Sequence, residues 1–167
     1  EGKMGPLEVR ILAGYTYVDP KVLKYDSVYI KAQHVLDSDT TKYGAYLGSD
    51  SSSVLKYRFN HIAKADVSIG YKRVTVGIGM RYNSFMKNID KIFVVDLGGV
   101  EVTPGVAHYR KYHKKGDQVY DARIAYQVTS QLKFSFIVNN VMNHIYMGRP
   151  SDMQSPRTFI VQGTFTF

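Results

Sequence analysis

The chain has 167 residues, 44% of them apolar and 22% charged, with a formal net charge of +8 and no cysteine. That length suits one domain, and the lack of cysteine excludes a disulfide framework and a thiolate metal site. No apolar run approaches the ~18 residues that a membrane helix needs, which excludes membrane helices only: a transmembrane barrel hides its lipid face by alternation, so a mean hydropathy of −0.22 leaves it open.

In chain order, the first alternating segment is Leu7 to Tyr17, with Leu7, Val9, Ile11, Ala13, Tyr15 and Tyr17 on one face and Glu8, Arg10, Leu12, Gly14 and Thr16 on the other. Ala63 to Tyr71 and Val74 to Asn83 follow the same rule, setting Val67, Ile69, Val76 and Ile78 against Asp66, Ser68, Gly77 and Arg81. Tyr120 to Val128 opposes Ile124 and Tyr126 to Arg123 and Gln127, and Leu132 to Asn139 opposes Phe134 and Phe136 to Lys133 and Ser135. The last segment, Arg157 to Phe167, places Phe159, Val161, Gly163, Phe165 and Phe167 on one face and Thr158, Ile160, Gln162, Thr164 and Thr166 on the other. A period of two over roughly ten residues predicts six strands, long for a globular sheet and suited to a tilted membrane crossing.

The connections carry a second signal. Lys72-Arg73 and Thr129 to Gln131 are short, whereas Asp19 to Tyr57, Ser84 to Gln118 and the segment after Asn139 are long. In an antiparallel sheet this strict alternation puts every short turn at one end and every long loop at the other, as in outer-membrane barrels. The composition includes 14 Tyr and 8 Phe but no Trp. Tyr15, Tyr17, Tyr82, Tyr120 and Phe159 mark the long-loop end of the apolar face, and Tyr71, Tyr126, Phe134, Phe165 and Phe167 the short-turn end. Two aromatic belts around an aliphatic band fit a lipid-facing wall. The expected fold is therefore all-β: an antiparallel transmembrane β-barrel segment of six up-and-down strands with short periplasmic turns and long extracellular loops. A soluble sandwich with packed aromatic faces is the alternative, and it gives no reason for segregated loop lengths.

Four stretches then point to a family. "GYTYVDP" at Gly14 to Pro20, "LKYRFNH" at Leu55 to His61, "VNNVMNHIY" at Val138 to Tyr146 and "SPRTFIVQGTFTF" at the end resemble the closing strands of a TonB-dependent outer-membrane receptor. The resemblance spans residues 1–167, in order, as the last six strands of a twenty-two-stranded barrel. A terminal Phe167 resembles the signal read by the barrel-insertion machinery. Phe59 stands where the family often has Pro, and neither plug, TonB box nor earlier strands are present. The resemblance implies energised import of a scarce ligand (siderophore, haem, cobalamin or glycan) through a Gram-negative outer membrane. It also implies a carboxyl terminus on the periplasmic side, with the remaining strands, the plug, TonB through that plug, lipid and lipopolysaccharide as partners.

Six strands alone leave two unpaired edges that lipid cannot satisfy. Either further strands come from a larger receptor or the chain is a small eight-stranded barrel of structural or adhesive role, recruiting Val28 to Leu36 and Tyr43 to Leu47, which alternate poorly. No signal peptide opens at Glu1, as expected of a mature chain, a fragment or a cytosolic protein.

No catalytic constellation is legible, no enzyme activity is expected and no cofactor is called for: His34, His61, His108, His113 and His144 are scattered, and Asp37 with Asp39 reads as a solvated loop. "HYRKYHKK", His108 to Lys115, interleaves bases with tyrosines as a nucleic-acid surface would. Elsewhere cations are scattered among acids, so the expectation is no nucleic acid but an exposed, anion-facing loop. Candidate ligand contacts are His108, Arg110, Lys111, His113, Lys114 and Lys115, with His144, Met147 and Met153 added if the ligand is haem or a metal chelate. Lumen-facing Arg81, Arg123, Lys133 and Asn139 are expected to bond to one another, to water or to a plug.

Overall fold

The structure is a computed structural model that describes residues 2–21, 54–94 and 101–167. His34, Asp37, Asp39 and the two stretches considered for an eight-stranded barrel, Val28 to Leu36 and Tyr43 to Leu47, lie outside the described residues. One antiparallel sheet of seven strands organises the rest, in the order β1-β2-β3-β4-β5-β6-β9. These are β1 (Gly2–Met4), β2 (Leu7–Tyr17), β3 (His61–Tyr71), β4 (Val74–Asn83), β5 (Asp117–Gln127), β6 (Leu132–Asn139) and β9 (Thr158–Phe165). A small hairpin, β7 (Met147–Arg149) with β8 (Asp152–Met153), stands outside the sheet.

The six expected strands are all present as near neighbours, and the sheet adds β1, a short strand paired to Leu7–Val9 across the Gly5-Pro6 turn. β1 was missed because three residues are too few to show a period. β3 and β5 also begin earlier than expected, at His61 and Asp117 rather than Ala63 and Tyr120. Backbone pairing continues there beyond the point where apolar alternation stops.

Register turns the alternation of each strand into continuous stripes. Val9, Ile69, Val76, Ile124, Phe136 and Val161 lie side by side across six strands. Ile11, Val67, Ile78, Ala122, Val138 and Phe159 form the next row towards the long-loop end. Nearer the short turns, Tyr71, Tyr126 and Phe134 are joined through Val74 in a third row. An apolar sheet of this width, left facing outwards, has no match on an ordinary soluble surface. Among the described residues no helix is long and apolar enough to cross a membrane.

The opposite face is ionic. Arg123 on β5 reaches across β4 to Asp66 on β3 in a two-pronged ion pair, with both N–O distances 2.6 Å. The crossing passes over Gly77, where an added Cβ would stand 2.6 Å from the guanidinium carbon, so glycine makes room for the bridge. Arg81 pairs with Asp121 at 3.2 Å. Both arginines expected to face a lumen thus find carboxylate partners within the sheet itself rather than in one another.

Among the described residues, the buried apolar side chains gather at the long-loop end of the molecule, in the loops and at the start of β5. Ile89 and Val106 are 0% and 2% exposed, Met86, Met147 and, on β5, Val119 are also buried, and Met86, Val106 and Met147 line one small cavity. The segment after β4, expected to be loop throughout, contains a 3-10 turn, Lys91–Phe93, and a helix α1, Val106–Tyr112. Helical order was illegible because seven residues rich in Tyr, His and basic side chains carry no sustained apolar stripe.

Candidate functional site

The long-loop end is stitched by side chains that reach backbone. Ser84 Oγ accepts from the N–H groups of Asn60 and His61, each at 3.0 Å, and Asn60 Nδ2 donates to the Val18 carbonyl at 3.1 Å. Asn88 Nδ2 donates to the Val54 carbonyl at 2.6 Å. Asp90 takes an ion pair from Lys56 and a hydrogen bond from the Tyr57 phenol. Burial first, and that hydrogen bond second, push the Tyr57 phenol up to about 12.

The loop after β6 is organised by Asn140, 1% exposed and in left-handed backbone at φ 52°, a conformation asparagine tolerates. Its N–H donates to Asp121 Oδ1 at 2.8 Å, its Nδ2 to the carbonyls of His144 and Ser155, and its Oδ1 accepts from the His144 N–H. Asn143, also left-handed, accepts from the Arg157 N–H at 2.9 Å. The asparagines of "VNNVMNHIY" therefore fold the loop back on β5. Asn140→Ala is expected to cost about 2 kcal/mol through buried backbone groups left unpaired. Faster proteolysis between Val141 and Arg157, with the sheet intact, would register the loss.

That fold-back carries His144 to Asp117, the first residue of β5. His144 Nε2 lies 2.8 Å and His113 Nδ1 2.7 Å from the same Asp117 oxygen, Oδ1, while the Tyr109 phenol donates to Oδ2. Tyr109 stacks on His113 with ring centroids 4.2 Å apart. Burial, followed by the hydrogen bond to Asp117, raises the Tyr109 phenol well above its usual range. The histidines expected to be scattered are thus partly gathered, because contacts between loops join positions that the sequence holds far apart. Beside His113 lies a cavity of about 400 Å³ lined by Thr103, His108, Tyr109, Tyr112, Met147 and Met153 among others.

The other expected contacts divide by exposure. His108, Lys111, Lys114 and Lys115 are exposed; His108 leans on the Tyr112 ring at 4.6 Å, and Lys111 Nζ sits 5.6 Å from it. Arg110, expected as a solvent-facing cation, is instead half-buried. Its guanidinium donates to the Met86 carbonyl at 2.8 Å and lies 4.4 Å from the Phe85 ring centroid. Helix formation turns it inwards onto the start of its own loop. Met147 is buried against the cavity and Met153 is exposed at its rim. Phe167 lies just beyond β9, its ring edge-on to Phe165 at 5.3 Å. Sequence reasoning missed Asp117 and Tyr109; the four-residue spacing of His113 and Asp117 was the only local sign of the pairing.

No family model and no curated protein matches the chain. Among solved structures, the chain is similar to the ferric-catecholate import receptor Fiu from K12 E. coli in its closed form, with a TM-score of 0.61 and 23% sequence identity. The match covers 95% of this chain and 19% of that one. At this identity the likeness concerns the fold: this chain has the architecture of a β-barrel segment.

Proposed function

We propose that the chain is part of the wall of an outer-membrane import receptor, with two of its surface loops. The observation that carries this reading is the sheet itself. Aliphatic and aromatic stripes cover one face, paired ions line the other, short turns gather at one end and side-chain-stitched loops at the other, on a fold similar to that of Fiu. In this reading β1 to β9 are the closing strands and the short turns are periplasmic. Phe167 is then the residue read by the insertion machinery, and the free sheet edges pair with further strands of the same receptor around a plug that engages TonB. Its cargo would be a scarce chelate of the siderophore, haem or cobalamin kind, or a glycan. The import named for Fiu favours an anionic iron chelate.

Lys111, Lys114 and Lys115, beside His108, supply the exposed positive charge that draws such an anion. Lipopolysaccharide offers phosphate and carboxylate to the same cations, and salt screens both attractions alike. Replacing the three lysines by alanine in the full-length receptor separates the roles, and Arg110 is left in place because it packs inside its loop. Ligand capture predicts at least a tenfold fall in uptake at subsaturating ligand with unchanged surface levels. Unchanged uptake would reduce the loop to surface electrostatics. Recovery of the protein outside the outer-membrane fraction would overturn the import reading as a whole.

A further inference from the structure

Asp117 offers one carboxylate oxygen to two imidazoles, and its side chain is only 8% exposed. One donor atom from each of His113, Asp117 and His144 lies within 4.8 Å of the other two, and His113 Nδ1 and His144 Nε2 meet the same Asp117 oxygen. We propose that these three residues form a binding site for a divalent first-row transition ion of the Zn²⁺ type, clasping the loop that ends in α1 to the loop that follows β6.

The donor set selects the ion. Two imidazoles and one carboxylate suit borderline ions such as Zn²⁺, Ni²⁺ or Cu²⁺, whereas Ca²⁺ and Mg²⁺ demand mostly oxygen donors in larger number. Bonds of about 2.0–2.1 Å in a tetrahedral arrangement set the donor atoms about 3.3 Å apart. The two N–O distances of 2.7 and 2.8 Å would each open by little more than half an ångström, within reach of side-chain rotation. Without an ion, each of these ring nitrogens donates its N–H to Oδ1. An ion takes the nitrogen lone pair instead, so each proton moves to the other ring nitrogen or to solvent.

The surroundings hold the set in place. Tyr109 donates to Oδ2, which fixes the carboxylate and leaves Oδ1 turned towards the imidazoles, and its ring stacks on His113. Asn140 fixes the backbone of His144 through both its N–H and its carbonyl. His113 and Tyr109 also line the 400 Å³ cavity, so an ion would sit beside a chamber with room for an exogenous donor. A binding equilibrium at this site does not depend on the import reading.

The test uses the full-length protein, purified in detergent and stripped with chelator. Calorimetric titration with Zn²⁺ should reveal a saturable site, weakened at least tenfold by His113→Gln and by His144→Gln and unchanged by His61→Gln on β3, with Mg²⁺ giving no signal. Tyr109→Phe should weaken it less than either ligand change. Heat-modifiable electrophoretic migration verifies that each variant is folded. Should the ligand variants misfold, Cu²⁺ bound to the unaltered protein supplies the answer, because nitrogen hyperfine splitting from two imidazoles must appear in its paramagnetic resonance spectrum. Absence of saturable Zn²⁺ binding, equal affinity in the doubly substituted His113→Gln/His144→Gln protein, or a copper spectrum without two nitrogens would overturn the site.

Discussion

Replacing Ile78 with Arg is expected to destabilise the folded protein by about 2–4 kcal/mol, which in the proposed receptor is the cost of a cation placed near the middle of a bilayer on the lipid face of a barrel. Ile78 lies mid-strand on β4, between Val67 and Ala122, and the residue is 58% exposed although it belongs to the apolar stripe. Exposure of that kind is unfavourable in water and favourable in lipid. Gln162, on the opposite face of β9, looks towards the ionic side, and Gln162→Arg should change stability by less than about 0.5 kcal/mol. Urea unfolding of both variants in lipid vesicles compares them directly. Matching losses at the two positions would show that the facing is wrong.

A loss of about 3 kcal/mol or more is expected for Gly116→Ala, through a different cause. Gly116 joins α1 to β5 with φ 85°, and an added Cβ would lie 2.2 Å from the Asn83 carbonyl oxygen and 2.8 Å from the Ser84 Cα. Both obstacles are backbone, so relief requires the ends of β4 and β5 to part. That motion pulls on Asp117, paired in register with Asn83, and on the Tyr82 phenol, which donates to the Lys115 carbonyl at 3.0 Å. Gly105 is the matched control: φ is 83°, yet nothing stands within 4 Å of its added Cβ. Gly105→Ala should therefore cost only the left-handed backbone penalty, about 1 kcal/mol. Thermal melts of the pair, with proteolysis of the segment between β4 and β5, measure the difference. Equal costs would mean that the close approach to Asn83 is not maintained.

The sequence by itself determined the wall. A strand's side chains alternate because of backbone geometry at each residue, so Val76 and Ile78 against Gly77 and Arg81 could be assigned to faces without knowing any partner. Loop lengths are likewise counted along the chain, and the long and short ends followed from Lys72-Arg73 and Thr129 to Gln131. Even the asparagines of "VNNVMNHIY" were visible as a block, though not what they bonded. Only the tertiary structure decided which cations are free and which histidines meet. Arg110 and Lys111 are neighbours in one basic run, yet a short helix buries the first on Phe85 and leaves the second in solvent. His113, Asp117 and His144 come together because Gly116 turns sharply into β5 and Asn140 folds the last long loop back onto the same strand end. Those loops take their shape from single hydrogen bonds between residues 4 to 27 positions apart, and such bonds leave no period in the sequence to read.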